Sequence, residues 1–452
     1  MIYKNKSKKE EVMESRRQFI KNLGIGAGGL GLFGMLNREG YARLKAKLDE
    51  VRNASPQELA GDERFWFYVQ QAFNIDRSII NLNNGGVHPS PTIVIDAVKR
   101  YMDFANGAPV LNSWRYLRPR KENIREKIAG TFGCSPEEIA LTRNVTESMQ
   151  IALLGLELEP GDEVLTTTHD YPSMKNALFQ REKREGVKVK TFSFPYPPDR
   201  IDVITEYFEK NITSKTRIIL ICHITNLTGQ IFPVKQICRL ARERGIEVVT
   251  DGAHAFGHFE FNQKDLNCDI YGANLHKWMM GPVGTGFLYV KKEKIKKIWP
   301  LFPAPEPQGD DIRKFEHAGT QPEALKLAVG EALTFHHGIG AKRKEARMRH
   351  LRNYWAKKLE KLSGVEMLTS YDPEQSCGIG TYTVKNLDMG KLQQALWNNH
   401  KIFVINVGIP APPGKEEQVT GVRVTPSIYT TLRELDLFVE SVSYYVKKGF
   451  PS

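Results

Sequence analysis

The chain has 452 residues, 41% apolar and 26% charged, enough for a core and two domains and far from the composition of a disordered or collagen-like chain. Its formal charge of +12 comes from 64 basic against 52 acidic residues; eight Lys/Arg and four Glu lie in residues 1–42 and the rest are dispersed, which argues against a nucleic-acid interface. The chain contains no uninterrupted apolar stretch of about 20 residues that could cross a bilayer. The five cysteines, Cys134, Cys222, Cys238, Cys268 and Cys377, form no C-x-x-C pair, so neither a disulfide framework nor a metal site is expected.

The first forty residues read as an address. Ser15-Arg16-Arg17-Gln18-Phe19-Ile20-Lys21 precedes a mildly apolar, glycine-rich run over residues 22–36, the basic-then-apolar layout of an export signal. The motif resembles the twin-arginine signal S-R-R-x-F-L-K, with Ile20 in place of Leu. That resemblance implies passage of a folded protein through the twin-arginine translocation machinery to the periplasm, or to the outer face of the inner membrane if residues 1–42 stay attached. Gly24-Ile25-Gly26-Ala27-Gly28-Gly29 satisfies G-x-G-x-x-G, but no strand precedes it, so it is not read as a dinucleotide site.

Residues 43–78 are read as a segment packing on the smaller of two domains. From residue 79 to about 320, short apolar runs alternate with amphipathic segments and turns, the pattern of β-α units around a mainly parallel sheet. A strand over 138–142 leads into a helix over 144–154, and Glu159-Pro160-Gly161-Asp162 turns the chain into a strand over 163–167. Residues 217–222 and 246–250 have the continuous apolar character of strands covered on both faces, with a helix over 233–244 between them. Residues 79–321 are therefore assigned to a large α/β domain. Helices over 323–336 and 341–362, alternating segments at 381–384, 403–407 and 421–424, and a last helix over 432–448 assign residues 322–452 to a smaller α+β domain. The proline-rich stretch 409–413 stands where a flap over an active site would lie.

The chemistry is concentrated in two motifs. Asp251-Gly252-Ala253-His254-Ala255 ends a buried strand, where open α/β sheets bind ligands. Asn274-Leu275-His276-Lys277-Trp278 brings a lysine 26 residues after that Asp. Lysine forms a Schiff base with an aldehyde cofactor, and a carboxylate facing a pyridine nitrogen keeps that nitrogen protonated. The pair suits pyridoxal 5'-phosphate.

These motifs, with Asn81-Leu82-Asn83-Asn84-Gly85-Gly86 and Arg143-Asn144-Val145-Thr146-Glu147, resemble the class V branch of the fold type I pyridoxal-phosphate enzymes, and within it the isopenicillin N epimerase-like subgroup. The resemblance covers residues 79–448. It implies a large domain with a seven-stranded, mainly parallel sheet and a smaller α+β C-terminal domain. It also implies Lys277 as the Schiff-base lysine and Asp251 as the pyridinium partner. Tyr171 matches the ring that stacks on the cofactor, His254 a residue on its other face or near its phenolic oxygen, and Asn226 the partner of that oxygen. Val145, Thr146, Asn274 and His276 match phosphate contacts. The first two open a helix, whose N–H groups favour a dianion. Thr320 matches a threonine given across a dimer interface, so a homodimer with shared sites is implied. Arg423 matches the arginine that grips a substrate carboxylate, and Asn83 and Asn84 a segment folded over the substrate.

One absence separates subclasses. A cysteine desulfurase needs a mobile thiol shortly before the carboxylate arginine, and residues 401–422 contain no cysteine. The expected activity is therefore at Cα–H of an amino acid or amine substrate, as aminotransferase or epimerase, with a desulfurase, a Cβ lyase or a cofactor-retaining binding protein as the alternatives. Arg115 and Arg118 are open to phosphate, to an acidic substrate or to solvent. The four-residue spacing of His254 and His258 is not read as a zinc pair, because no Glu follows the first His.

Overall fold

The computed structural model describes residues 43–450; the leader read as an export signal lies outside the described residues. Up to residue 290 the chain carries strands β1 (Ile80–Asn81), β2 (Ile139–Thr142), β3 (Glu163–Thr167), β4 (Lys188–Phe192), β5 (Thr216–Cys222), β6 (Glu247–Asp251), β7 (Ile270–Asn274) and β8 (Gly286–Val290). They are interleaved with helices α1 (Pro56–Ala60), α2 (Glu63–Gln70), α3 (Thr92–Gly107), α4 (Lys121–Phe132), α5 (Val145–Gly155), α6 (Pro172–Glu185), α7 (Asp202–Asn211) and α8 (Val234–Arg242).

Seven of these strands form one sheet in the order β2-β8-β7-β6-β5-β3-β4. Only β8 runs against the others, pairing antiparallel with β2 and β7. Ile218 to Cys222 on β5 and Val248 to Asp251 on β6 are all buried, because helices cover both faces. Each aliphatic side chain so removed from water contributes about 1.5–3 kcal/mol. On one face Met149 and Ile151 of α5 pack with Met174 and Leu178 of α6. On the other, Ile124 and Ile128 of α4 pack with Phe208 of α7 and Ile237 of α8. Parallel pairing sets Cys222 beside Asp251 and Asp251 beside Gly272, so the carboxyl ends of β5, β6 and β7 make one edge.

Two long helices follow, α9 (Glu323–Ile339) and α10 (Ala341–Leu359), then β9 (Val365–Met367), β10 (Gly380–Val384), α11 (Met389–His400), β11 (Ile402–Phe403), β12 (Ile405–Ile409), β13 (Val419–Val424) and α12 (Leu432–Lys448). A second sheet, β12-β13-β10-β9, is antiparallel throughout. Leu351 and Trp355 of α10, Leu392 and Leu396 of α11, and Leu435 and Phe438 of α12 share its core.

The start of the large α/β region departs from the sequence reading. β1 pairs in parallel with β11, Ile80 opposite Ile402, instead of joining the seven-stranded sheet. Leu82 explains this, since it is fully buried in the core around Tyr382 and Val424. The preceding segment is wedged between both halves: Phe65, Trp66 and Val69 of α2 share a core with Ala255 and Trp278 as well as Met348 and Tyr429.

Candidate active site

Asp251 ends β6 and is buried; Oδ1 accepts the N–H of Ala253 at 2.9 Å, and Oδ2 has no partner among the described residues. Burial raises its carboxyl above the usual range, opposed by that N–H and by the charge of Lys277. Lys277 lies in the tight loop between β7 and β8, closed by Gly281 N–H to Leu275 O at 2.7 Å and Met280 N–H to Lys277 O at 2.9 Å. Its amine is 3.0 Å from His254 Nε2. Burial pushes that amine below the usual lysine range, with Asp251 pulling the other way. A neutral amine at moderate pH is what nucleophilic or proton-abstracting chemistry needs.

Asn144 caps α5 by accepting the Glu147 N–H at 2.9 Å. The Val145 N–H is taken by Asn274 Oδ1 at 2.9 Å, so two of the expected phosphate contacts bond each other. This ties the end of β7 to the helix and leaves the Thr146 N–H, in the first turn, without an intrahelical acceptor. His276 lies 3.2 Å through Nδ1 from the Thr285 carbonyl, which makes Nδ1 the donor and frees Nε2.

Arg423 on β13 is 5% exposed and donates to Asn226 O at 2.9 Å and Asn83 Oδ1 at 2.7 Å. Its Nε is buried without a partner, and burial lowers the guanidinium to about 10. The Asn226 side chain has no partner among the described residues. Tyr171 stands at the N-cap of α6, 45% exposed. Asn84 differs from the expected substrate contact. It is fully buried, donating to Asn81 O and Thr425 O and accepting from Asn81 and Tyr429, so it fastens the segment to the end of β13.

Thr320 is exposed and lines a cleft of about 630 Å³ with Trp114, Arg118, Lys121 and Lys326; that lining includes none of Lys277, Asp251 and Arg423. Arg118 pairs there with Glu323 at 3.2 Å. The 409–413 stretch touches the segment just after β4, where Ser193 donates to Ala411 O at 2.7 Å. Sequence reasoning missed two residues. Asp170 is buried, and its Oδ2 accepts from Thr166 Oγ1, Thr167 N and Thr167 Oγ1 at 2.7–2.9 Å, which pins the turn that presents Tyr171. Trp278 ends the Asn274-Leu275-His276-Lys277-Trp278 motif, yet its bond to His254 depends on the loop path and left no sequence signal.

A lysine, a buried carboxylate with a spare oxygen, a helix N-terminus and an unpaired guanidinium thus converge at the carboxyl edge of a doubly covered sheet. The aminotransferase class-V family model matches residues 38–438, and the chain belongs to this family of pyridoxal 5'-phosphate enzymes. It is similar to the isopenicillin N epimerase of Streptomyces clavuligerus, 27% identical over 394 residues that cover 83% of this chain and 97% of that protein. A probable cysteine desulfurase of Methanothermobacter thermautotrophicus is 27% identical over 422 residues, 84% of this chain and 98% of that protein. The fold is shared with the cysteine desulfurase of Thermococcus onnurineus, at a TM-score of 0.72 and 22% identity, over 84% of this chain and 97% of the other.

Proposed function

We propose that the protein holds pyridoxal 5'-phosphate between Asp251 and Lys277 and acts at Cα of an amino acid or amine-bearing substrate, as an aminotransferase or an isopenicillin N epimerase-like enzyme. The observation that carries this is the Lys277 amine, 3.0 Å from His254, beside a buried Asp251 with one unspent oxygen. The residues present fit the group: Asp251 for the ring nitrogen, the Thr146 N–H for the phosphate, Asn226 and Tyr171 for the ring oxygen and ring face. When bound, the cofactor supplies an electron sink for the pair left as a bond to Cα breaks.

The chain's residues do the rest. Arg423 offers its planar fork to the substrate carboxylate, and Asn83 holds that fork in place. Lys277 Nζ removes the Cα proton. With the cofactor bound, a Lys277 that passed that proton on to it would make the chemistry transamination, whereas an acid that returned a proton to the opposite face of Cα would make it epimerisation.

Sulfur transfer, suggested by the desulfurase relatives, is less well supported. Cys377 is fully buried with its Sγ toward the His258 carbonyl, and burial pushes its thiol up to about 12. Cys222, Cys238 and Cys268 are buried too.

A homodimer completes the reading. Val110, Leu111, Trp114 and Tyr116 are each roughly half exposed, and Trp114 adjoins Thr320. A second copy would cover this apolar surface and bring Thr320 to its neighbour's site. The motif at residues 15–21 supports export by the twin-arginine route.

An amino acid panel with the coloured holoprotein tests the activity. Formation of pyridoxamine phosphate supports transamination, and solvent deuterium at Cα without amino transfer supports epimerisation. Sulfide released from cysteine would overturn the ranking.

A further inference from the structure

Trp278, next to Lys277 in the chain, is completely buried and donates its indole N–H to His254 Nδ1 at 3.4 Å. The other nitrogen of the same imidazole, Nε2, is the one 3.0 Å from Lys277 Nζ. An indole nitrogen can only donate, so His254 Nδ1 presents a lone pair and the single proton of the neutral ring sits on Nε2. That proton points at the Lys277 amine, which can accept it only while neutral. We infer that Trp278 is a positioning residue: it sets the tautomer of His254 and thereby holds the Lys277 lone pair in a hydrogen bond, keeping the amine uncharged until it is used.

The surroundings support the assignment. The His258 ring stacks on the indole at 3.9 Å and 8°. His258 has no freedom of its own, since Nδ1 lies 2.9 Å from the His254 carbonyl and Nε2 accepts the Gly378 N–H at 2.9 Å. A Cβ at Gly378 would stand 2.9 Å from that Nε2, so only glycine permits the approach. Lys344 Nζ donates to the Trp278 carbonyl and fixes the backbone. The charged and titratable groups around His254 are Lys277 and His276 from the β7–β8 loop, Arg423 from β13 and His258 from the turn after β6. All of them, with burial, disfavour a second proton on the ring. A proton added at Nδ1 would face the indole proton directly.

This inference rests on Lys277 as the cofactor-bearing amine, and its test separates the two ideas. Full-length protein stripped of cofactor and labelled with ¹⁵N-histidine reports each imidazole nitrogen by NMR. In the wild type His254 reads as bare at Nδ1 and protonated at Nε2. In Trp278→Phe, which keeps an aromatic ring and loses the N–H, proton density moves to Nδ1, and Nε2 accepts from a Lys277 ammonium. The rate of pyridoxal 5'-phosphate uptake, followed by absorbance against pH with Lys277→Ala as background, then inflects about one pKa unit higher, about tenfold less neutral amine at pH 7.5. The two rates converge above about pH 10.5, where both amines are neutral. Should Trp278→Phe fail to fold, benzothienylalanine at 278 keeps the bicycle and replaces the N–H by sulfur. A protonated Nδ1 in the wild type, or an unchanged tautomer and inflection in either variant, overturns the inference. A wild type that takes up no cofactor overturns the reading of Lys277, while the imidazole shifts still decide the tautomer.

Discussion

Arg423 donates through Nη2 to Asn83 Oδ1 at 2.7 Å, joining positions 340 residues apart. Its Nη1 goes to the Asn226 carbonyl, so both bonds are to neutral oxygens and the charge is left uncompensated. Such a cation is ready for an anion. Replacing Arg423 by Lys should raise KM for amino acids about tenfold or more, the worth of a charge-assisted bond of about 1.5–3 kcal/mol, while colour and melting temperature stay near the wild type. An unchanged KM would assign the carboxylate to another group.

Asp251 and Lys277 are expected to fail differently. Asp251→Asn should keep cofactor colour and lose about 10²–10³ in kcat, as removal of one preorganised electrostatic partner does. Lys277→Ala should lose turnover altogether and release the cofactor on dialysis. Spectra recorded before and after dialysis, beside single-turnover rates, separate the two behaviours.

Lys344 predicts a pH dependence of stability. It is fully buried on α10, and burial lowers its amine to about 7. Between about pH 7 and pH 10 the unfolded chain therefore binds a proton that the folded chain has lost, so stability rises with pH across that window, by up to about 1.4 kcal/mol per unit. Below it both states are protonated and the slope vanishes. Urea midpoints from pH 6 to pH 9 should climb less steeply in Lys344→Met than in the wild type; parallel curves would refute the assignment.

Gly252 follows Asp251 where the Tyr271 ring crosses the chain. A Cβ there would lie 2.0 Å from that ring, and Tyr271 is held by its hydroxyl to His223 Nδ1 at 2.9 Å. Gly252→Ala should cost about 1–3 kcal/mol by overpacking, read as a lower melting temperature, and should also weaken cofactor retention by shifting Asp251.

Export is tested at Arg16 and Arg17. With both changed to Lys the protein should accumulate, folded and coloured, in the cytoplasmic fraction; unchanged fractionation would remove the twin-arginine reading.

The buried strands were legible because a run covered on both faces leaves little choice: the segment expected at 163–167 is β3 with the same bounds. Helix ends were less so, since Asn144 is a cap and not the first helical residue. β1 was not legible, because two residues carry no periodicity and their partner lies far down the chain. In the candidate site, the place of Asp251 at a strand end was readable from the apolar run before it. Asn84 was not, because its hydrogen bonds are all made with segments that meet only in the folded molecule.

The pairing of Ile80 with Ile402 bears on how the molecule is born. At a synthesis rate of about 5–20 residues per second, a nascent chain displays Lys277 well before Arg423 and the strands around it leave the ribosome. The wall that carries Arg423 is thus the last to arrive, and a prematurely terminated polypeptide would present Lys277 with no guanidinium opposite it.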